Sequence, residues 1–460
     1  MKNSWREECG VFGIWDHPEA ARLTYLGLYA MQHRGQESAG IVSLEKGQHI
    51  SHKGLGLVGD VFQEPDLERL VGRAAVGHVR YSTTGQNLLT NAQPLTALLL
   101  NGPVALAHNG NIVNQNALRQ DLRKTGSIFH GTNDTEILLH LLSKNPSNHL
   151  VTSIRESVRR IDGAFSFVLM SHDKLVAIRD TWGFRPLVLG RKPREDGGWS
   201  RVVASETCAF DLIGAEFERE VQPGEIFWVD KTGEHSEKFA ESSRTAHCIF
   251  EHVYFSRPDS VVFGQSVYEA RKSFGKQLAL ESPTEADVVI PVPDSGVAAA
   301  LGYAAQSGLP FELGIIRNHY VGRTFIQPQQ SIRDFGVKIK LNPQSAVLAG
   351  KKVIVIDDSL VRGTTSRKIV NLIRQAGAKE VHLRIASPPT TGPCYYGVDT
   401  PHKDQLIASR HSVSEIRDYV GADTLAYLSM EGLFKAVQAR QNQYCAACFD
   451  GRYPTPIEEG

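Results

Sequence analysis

Val353-Ile354-Val355-Ile356 and the residues after them constrain this chain more than any other stretch. Four β-branched residues in a row read as a strand buried on both faces, the pattern of a parallel sheet, and they run directly into Asp357 and Asp358. After a short turn, Arg362-Gly363-Thr364-Thr365 opens a segment whose Ile369, Val370 and Ile373 fall on one helical face, and Gly377 supplies a stop. The unit is therefore strand, acidic pair, glycine turn, helix. Free backbone N–H groups and threonine hydroxyls at a helix start attract phosphate, while carboxylates at a strand end suit ribose hydroxyls and a bound cation. A phosphorylated sugar is the expected ligand, against the alternative of a solvated acidic turn.

A chain of 460 residues is too long for one core and calls for two domains. Lys plus Arg and Asp plus Glu stand at 50 each, and no strongly basic run occurs, so a nucleic-acid face is not expected. The polar start, MKNSWREEC, and the lack of any apolar run of about 18 residues predict neither a signal peptide nor a membrane span. The cytoplasm is the expected compartment. Six cysteines are too sparse for a disulfide framework, so each is read as core, nucleophile or ligand.

In chain order, Cys9 to Trp15 reads as a strand, followed by a helix with Ala21, Tyr25, Leu28 and Tyr29 on one face. Gly77 to Gly85 and Leu106 to Asn111 place polar groups just after short apolar runs, where strand-end loops carry sites. Ala164 to Leu169 alternates as a strand, and Asp230 to Thr245 is polar enough to be either a domain boundary or an exposed hairpin. Beyond it, Asp287 to Gly296 is a second apolar strand ending in a Pro, Asp, Ser, Gly loop. Tyr320 to Asn342 lacks periodicity, and its length predicts a lid. Strands then alternate with helices, which predicts a parallel α/β sheet.

Two resemblances carry the functional reading. Val353 to Lys368 resembles the phosphoribosyltransferase motif, which implies that Asp357 and Asp358 face ribose and Mg²⁺, that Ser359, Gly363, Thr364 and Thr365 bind the 5-phosphate, and that Asp294-Ser295-Gly296 is the pyrophosphate loop. Near the N-terminus, Cys9-Gly10-Val11-Phe12-Gly13, Gln32-His33-Arg34-Gly35, Gly77-His78-Val79-Arg80 and His108-Asn109-Gly110-Asn111 together resemble the class II glutamine amidotransferases, which are N-terminal-nucleophile hydrolases. That resemblance implies Cys9 as nucleophile and Asn109 with Gly110 as oxyanion donors. Arg80 and Asp134 would hold the glutamine α-carboxylate and α-ammonium, and Arg34 would be either a substrate ligand or a brace, as would His78. The chemistry is coherent, since a thiolate can attack a side-chain amide with an α-amine of near-neutral pKa as its base. Residues 1–8 precede Cys9, so a propeptide cleaved between Glu8 and Cys9 is expected.

Cys248, Cys394 and the pair Cys445-Ala446-Ala447-Cys448 remain, with Cys208 read as core. Spacing alone favours a structural zinc. The iron–sulfur branch of the amidophosphoribosyltransferases, however, combines a propeptide with a [4Fe-4S] cluster whose ligands match these four, and the chain resembles that branch from Cys9 to Cys448. The fold implied is α/β: a propeptide at 1–8, an N-terminal-nucleophile αββα sandwich at 9–240, a type I phosphoribosyltransferase parallel-sheet domain at 241–440 and a cluster-bearing tail at 441–460. The resemblance further implies glutamine and phosphoribosyl pyrophosphate as substrates, Mg²⁺ at Ser295, Asp357 and Asp358, purine nucleotides as feedback inhibitors, and a homotetramer. The rivals are a sister glutamine amidotransferase acting on another phosphosugar and a non-catalytic phosphoribosyl-pyrophosphate-sensing regulator. The first would lack the Val353 to Lys368 unit, and the second would have no use for Cys9, Asn109 and Arg80.

Overall fold

The computed structural model describes residues 9–81, 88–241, 244–318, 341–398, 400, 402–438 and 441–457. The expected propeptide 1–8, residues 82–85 of the Gly77 to Gly85 stretch and all but Leu341 and Asn342 of the expected lid lie outside the described residues.

The first half is two antiparallel sheets face to face. One runs, edge to edge, Glu216–Glu220, Val188–Pro193, Trp199–Ala204, Gly10–Trp15, Ala74–Arg80, Ser38–Glu45 and Gln48–Leu55. The other runs Gly233–Lys238, Glu225–Asp230, Lys174–Arg179, Gly163–Ser171, Gly102–Ile112 and Leu95–Leu99. Strand side chains alternate between layers: Val11 enters the inter-sheet core with Val76, Ala105 and Val168, while Phe12 and Ile14 meet the outer helices Ala20–Ala30 and Cys208–Ile213. Helices Gln115–Lys124, Glu136–Lys144 and Leu150–Val158 cover the far face of the second sheet. This is the expected αββα sandwich, and each buried Val, Ile, Leu or Phe contributes roughly 1.5–3 kcal/mol to it.

In the second half the parallel sheet runs Val288–Pro291, Lys352–Asp357, Glu380–Ile385, Thr424–Tyr427. Val353 and Val355 pack with helix Thr364–Gln375 on one face, and Ile354 and Ile356 with helices Val267–Glu281 and Val297–Ser307 on the other. That double burial explains why the run is apolar without alternation. Val289 also bridges Phe311 in parallel, so the chain leaves Pro291, adds an outer position and returns to Lys352 on the opposite side. Strand order thus reverses between Val288–Pro291 and Lys352–Asp357, and ligands of open α/β sheets bind beyond the carboxyl ends at such a point.

Two local expectations need correction, and a third resolves to one of its two alternatives. Tyr29 is exposed, and the buried face of its helix is Ala20, Ala21, Leu23, Thr24, Gly27, Leu28 and Ala30, because the small residues let the helix lie close to the sheet. Asn109 and Gly110 lie inside strand Gly102–Ile112 instead of in a loop after it, paired with Ser166 and Phe165. The polar stretch after Asp230 holds an edge strand, Gly233–Lys238, hydrogen-bonded to Glu225–Asp230, the hairpin alternative.

Candidate active site

Cys9 sits at the open end of strand Gly10–Trp15, in the middle of its sheet and beside the end of Ala74–Arg80. Its thiol is buried and donates to the carbonyl of Tyr81 at 3.5 Å. Arg34 Nε donates to the carbonyl of Cys9 at 3.1 Å, and the rest of its guanidinium is directed at Glu206 and Glu251. Arg34 is therefore engaged with the nucleophile's backbone and two carboxylates, the position of a brace.

The second sheet supplies the facing groups. Asn109 is buried, and its Nδ2 has no hydrogen-bond partner among the described residues. A buried amide donor without a partner costs about 1–3 kcal/mol, which makes it a group waiting for an acceptor. Next to it, Gly110 has φ +145°, and a Cβ there would lie 2.1 Å from the carbonyl of Ala164. Only glycine fits that backbone. His78 Nε2 bonds the carbonyl of His108 at 2.9 Å, tying the strand of Arg80 to the strand of Asn109; burial lowers the pKa of His78 to about 3, so it is neutral. Asp134 accepts from the N–H of Ile112 at 2.9 Å and lies 3.7 Å from His108 Nδ1. Burial alone would raise its pKa, but His108 and the Ile112 and Thr135 N–H groups outweigh it, so the carboxyl stays ionised.

The carboxyl end of the parallel sheet brings together a second set of groups. Asp357, Asp358, Ser295, Tyr254 and the loop Ser359 to Ser366 line a cavity of about 160 Å³. Both carboxyls are buried; burial raises the pKa of each, and the charge of Asp358 pushes Asp357 further up. Hydrogen bonds from Ser295 and Ser359 and the buried guanidinium of Arg271 favour the ionised form of Asp358. Such a pair is poised for a cation. Gly363, at φ +71°, caps helix Thr364–Gln375, and the buried hydroxyl of Thr364 has no partner among the described residues. An anion at this helix start would meet that hydroxyl and the free N–H groups of the first turn.

Cys248, Cys394, Cys445 and Cys448 line one small cavity of about 20 Å³ with Phe184, Phe250 and Tyr396, and none of the six cysteines is in a disulfide. Cys248 and Cys445 are opposed in a short parallel ladder. Burial pushes Cys445 up to about 12, and burial with three neighbouring cysteines raises Cys448 well above the usual thiol range. Among the described residues, no three His, Cys, Asp or Glu side chains close on a single metal ion. The cavity joins the tail to both halves, since Cys248 N–H donates to the carbonyl of Phe184 in the sandwich and the carbonyl of Cys448 accepts from the N–H groups of Thr391 and Gly392.

The sequence reading assigned no role to Glu206, Glu251, Arg185 or Arg271. Glu251 carried a signal, a charged residue inside the apolar run Ile249-Phe250-Glu251-His252-Val253, whereas Glu206 and Arg271 stand among polar neighbours and carried none.

Comparison with known proteins follows the same division. Residues 78–211 match the family model of a glutamine amidotransferase domain, and residues 265–392 that of a phosphoribosyl transferase domain. The chain is 56% identical over 455 residues to the chloroplastic amidophosphoribosyltransferase of Glycine max, covering 99% of this chain and 79% of that protein. It is 50% identical over 456 residues to the amidophosphoribosyltransferase of Bacillus subtilis, covering 98% and 95%. A solved structure of the B. subtilis glutamine phosphoribosylpyrophosphate amidotransferase complexed with ADP and GMP superposes with a TM-score of 0.92 at 49% identity, covering 98% of each chain.

Proposed function

The chain belongs to the amidophosphoribosyltransferases, and from that premise we propose how its residues divide the work. It is a glutamine amidotransferase joined to a phosphoribosyltransferase, the enzyme of the first step of purine synthesis. Overall, glutamine, phosphoribosyl pyrophosphate and water give 5-phosphoribosylamine, glutamate and pyrophosphate.

At the sandwich centre, removal of residues 1–8 frees the α-amine of Cys9, which takes the thiol proton as sulfur attacks the glutamine side-chain amide. Negative charge then develops on the amide oxygen, where Asn109 Nδ2 and the Gly110 N–H donate to it. Arg80 pairs with the substrate α-carboxylate and the ionised Asp134 with its α-ammonium. Arg34 and His78 brace. Ammonia leaves, water releases glutamate from the thioester, and the ammonia passes to the ribosyl carbon at the second centre. The buried Nδ2 of Asn109 carries this reading, because a donor with no partner among the described residues fits a charge that exists only during reaction.

At the parallel-sheet centre, Ser359, Gly363, Thr364 and Thr365 hold the 5-phosphate and Asp357 the ribose hydroxyls. The raised pKa values of the acidic pair support a divalent cation, and Asp357, Asp358 and Ser295 would hold Mg²⁺, which supplies charge neutralisation to the pyrophosphate leaving group. Four cysteines around one cavity fit a [4Fe-4S] cluster held by Cys248, Cys394, Cys445 and Cys448. Its role is structural. Purine nucleotides are the inhibitors proposed, supported by the ADP and GMP bound in the B. subtilis relative. We assign a homotetramer on family membership and the cytoplasm on six cysteines that form no disulfide; among the described residues no helix is long and apolar enough to cross a membrane.

The deciding experiment follows glutamate and pyrophosphate together. Release in equal amounts is expected, with Cys9→Ala losing glutamine-dependent turnover while ammonia-dependent turnover survives. Pyrophosphate release from glutamine in the Cys9→Ala chain would refute the assignment.

A further inference from the structure

Two arginines of the sandwich end on a single carboxylate of the second half. Arg34 donates Nε to the carbonyl of Cys9 at 3.1 Å, Nη2 to Oε1 of Glu251 at 2.8 Å and Nη1 to Oε2 of Glu251 at 3.0 Å. Arg185 donates Nη1 to the same Oε1 at 3.3 Å, and Nε and Nη2 to the carbonyl of Tyr396 at 2.9 and 2.6 Å. All three side chains are fully buried. Glu206 is the second carboxylate on Arg34, so Arg34 and Arg185 balance Glu206 and Glu251 inside the protein.

The carbonyl that Arg185 grips belongs to the loop behind the oxyanion strand. A Cβ on Gly397 would lie 2.9 Å from the carbonyl carbon of Gly110 and 3.0 Å from its oxygen, and Asn111 Nδ2 donates to the carbonyl of Tyr395 at 2.9 Å. The Tyr395 to Gly397 loop therefore presses on the Gly110 peptide, with Phe184 stacked on Tyr396 at 4.1 Å between ring centres.

We propose that Glu251 is a positioning residue for the glutaminase centre: it sets the Cys9 carbonyl through Arg34 and, through Arg185 and the Tyr395 to Gly397 loop against the Gly110 Cα and carbonyl, the backbone of Gly110, whose own N–H donates to the oxyanion. The proposal rests on the assignment of Cys9, Asn109 and Gly110 given above. Bidentate pairing of a carboxylate with guanidinium fixes orientation as well as distance. Replacing Glu251 by glutamine leaves two buried guanidiniums against one carboxylate, which re-aims both arginines and moves both strand ends. An error of about 1 Å in such a constellation costs on the order of 10²-fold in rate. The functional consequence is that the glutaminase centre is complete only when the acceptor half is docked against it.

The test uses the full chain carrying Glu251→Gln and, separately, Arg185→Lys, with glutamine-dependent and ammonia-dependent pyrophosphate release measured on the same preparation. For Glu251→Gln the expected result is a fall of ~10²-fold in kcat with glutamine, KM for glutamine within ~3-fold, and an ammonia-dependent rate within ~2-fold. Arg185→Lys should show the same pattern at ~10-fold. Parallel loss of both activities, a rise in KM alone, or no change would overturn the proposal. If Glu251→Gln does not fold, Arg185→Lys decides by the same criteria. Glutamine-dependent turnover surviving in Cys9→Ala would instead strike the underlying assignment, whatever the Glu251 variants do.

Discussion

The proposed phosphoribosyl centre takes most of its groups from one continuous stretch, Asp357 to Thr365, with Ser295 across the same cavity, whereas the proposed glutaminase centre gathers Cys9, Arg80, Asn109 and Asp134 from separated strands and a loop of two sheets. In the first, a strand end and a helix start impose the geometry locally. In the second, geometry exists only after the two sheets have paired and packed, and a buried ionic group joining both halves of the chain holds it. The difference predicts where each centre is fragile: the contiguous one to changes in its own loop, the assembled one also to changes in residues that never touch substrate.

The largest expected effect is in Cys9→Ala, which should lower glutamine-dependent turnover by ~10⁴-fold or more while sparing ammonia-dependent turnover. Equal loss of both would break the separation of the centres. Next comes Asn109→Ala, with a fall of ~10²–10³ in glutaminase kcat and little change in KM, read by glutamate release. A large KM effect instead would move Asn109 to substrate binding. Gly363→Ala should act on the other centre alone: its φ of +71° and the ring of Tyr419 and Cδ1 of Ile407, each 3.1 Å from an added Cβ, predict a cost of about 1–2 kcal/mol, seen as roughly a tenfold rise in KM for phosphoribosyl pyrophosphate.

The smallest effect concerns stability and pH. Burial, with the charge of Asp358 acting on Asp357, holds the carboxyls above the 3.8 of an ordinary Asp, so without a cation the folded chain binds protons more tightly than the unfolded one. Its contribution to stability therefore falls as pH rises from about 4 through the raised folded pKa values. Asp357→Asn should raise the unfolding temperature of magnesium-free protein at pH 8 by a few degrees and erase the further rise that Mg²⁺ gives the wild type. An unchanged unfolding temperature would mean that the pair is not strained by its own charge.

Legibility in the sequence followed the same division. The Val353 to Thr365 unit could be read from spacing, because double burial forces an unbroken β-branched run and a phosphate turn forces glycine beside threonine. Cys9, Arg80 and His108-Asn109-Gly110 were legible only as motifs. The strand setting of Asn109 and Gly110 was misread, since a polar run resembles a loop when the partner strand that satisfies its backbone is unknown. Glu251 and Arg185 were overlooked because a lone charge in an apolar run has no meaning until its counter-charge, 66 residues away in sequence, is seen beside it.

By itself the sequence determined the two-half α/β organisation, the parallel sheet and the phosphosugar character of its acidic strand end, because periodicity and local turn residues encode those directly; the αββα sandwich and the glutaminase chemistry were implied only by the resemblance of its motifs. Only the tertiary structure decided which groups face one another: the unpartnered amide of Asn109, the reversal of strand order that opens the phosphoribosyl cavity, the four cysteines around one void, and Glu251 between Arg34 and Arg185. Those facts depend on packing between residues far apart in the chain, where burial strengthens charge and leaves each unpaired donor costly enough to matter.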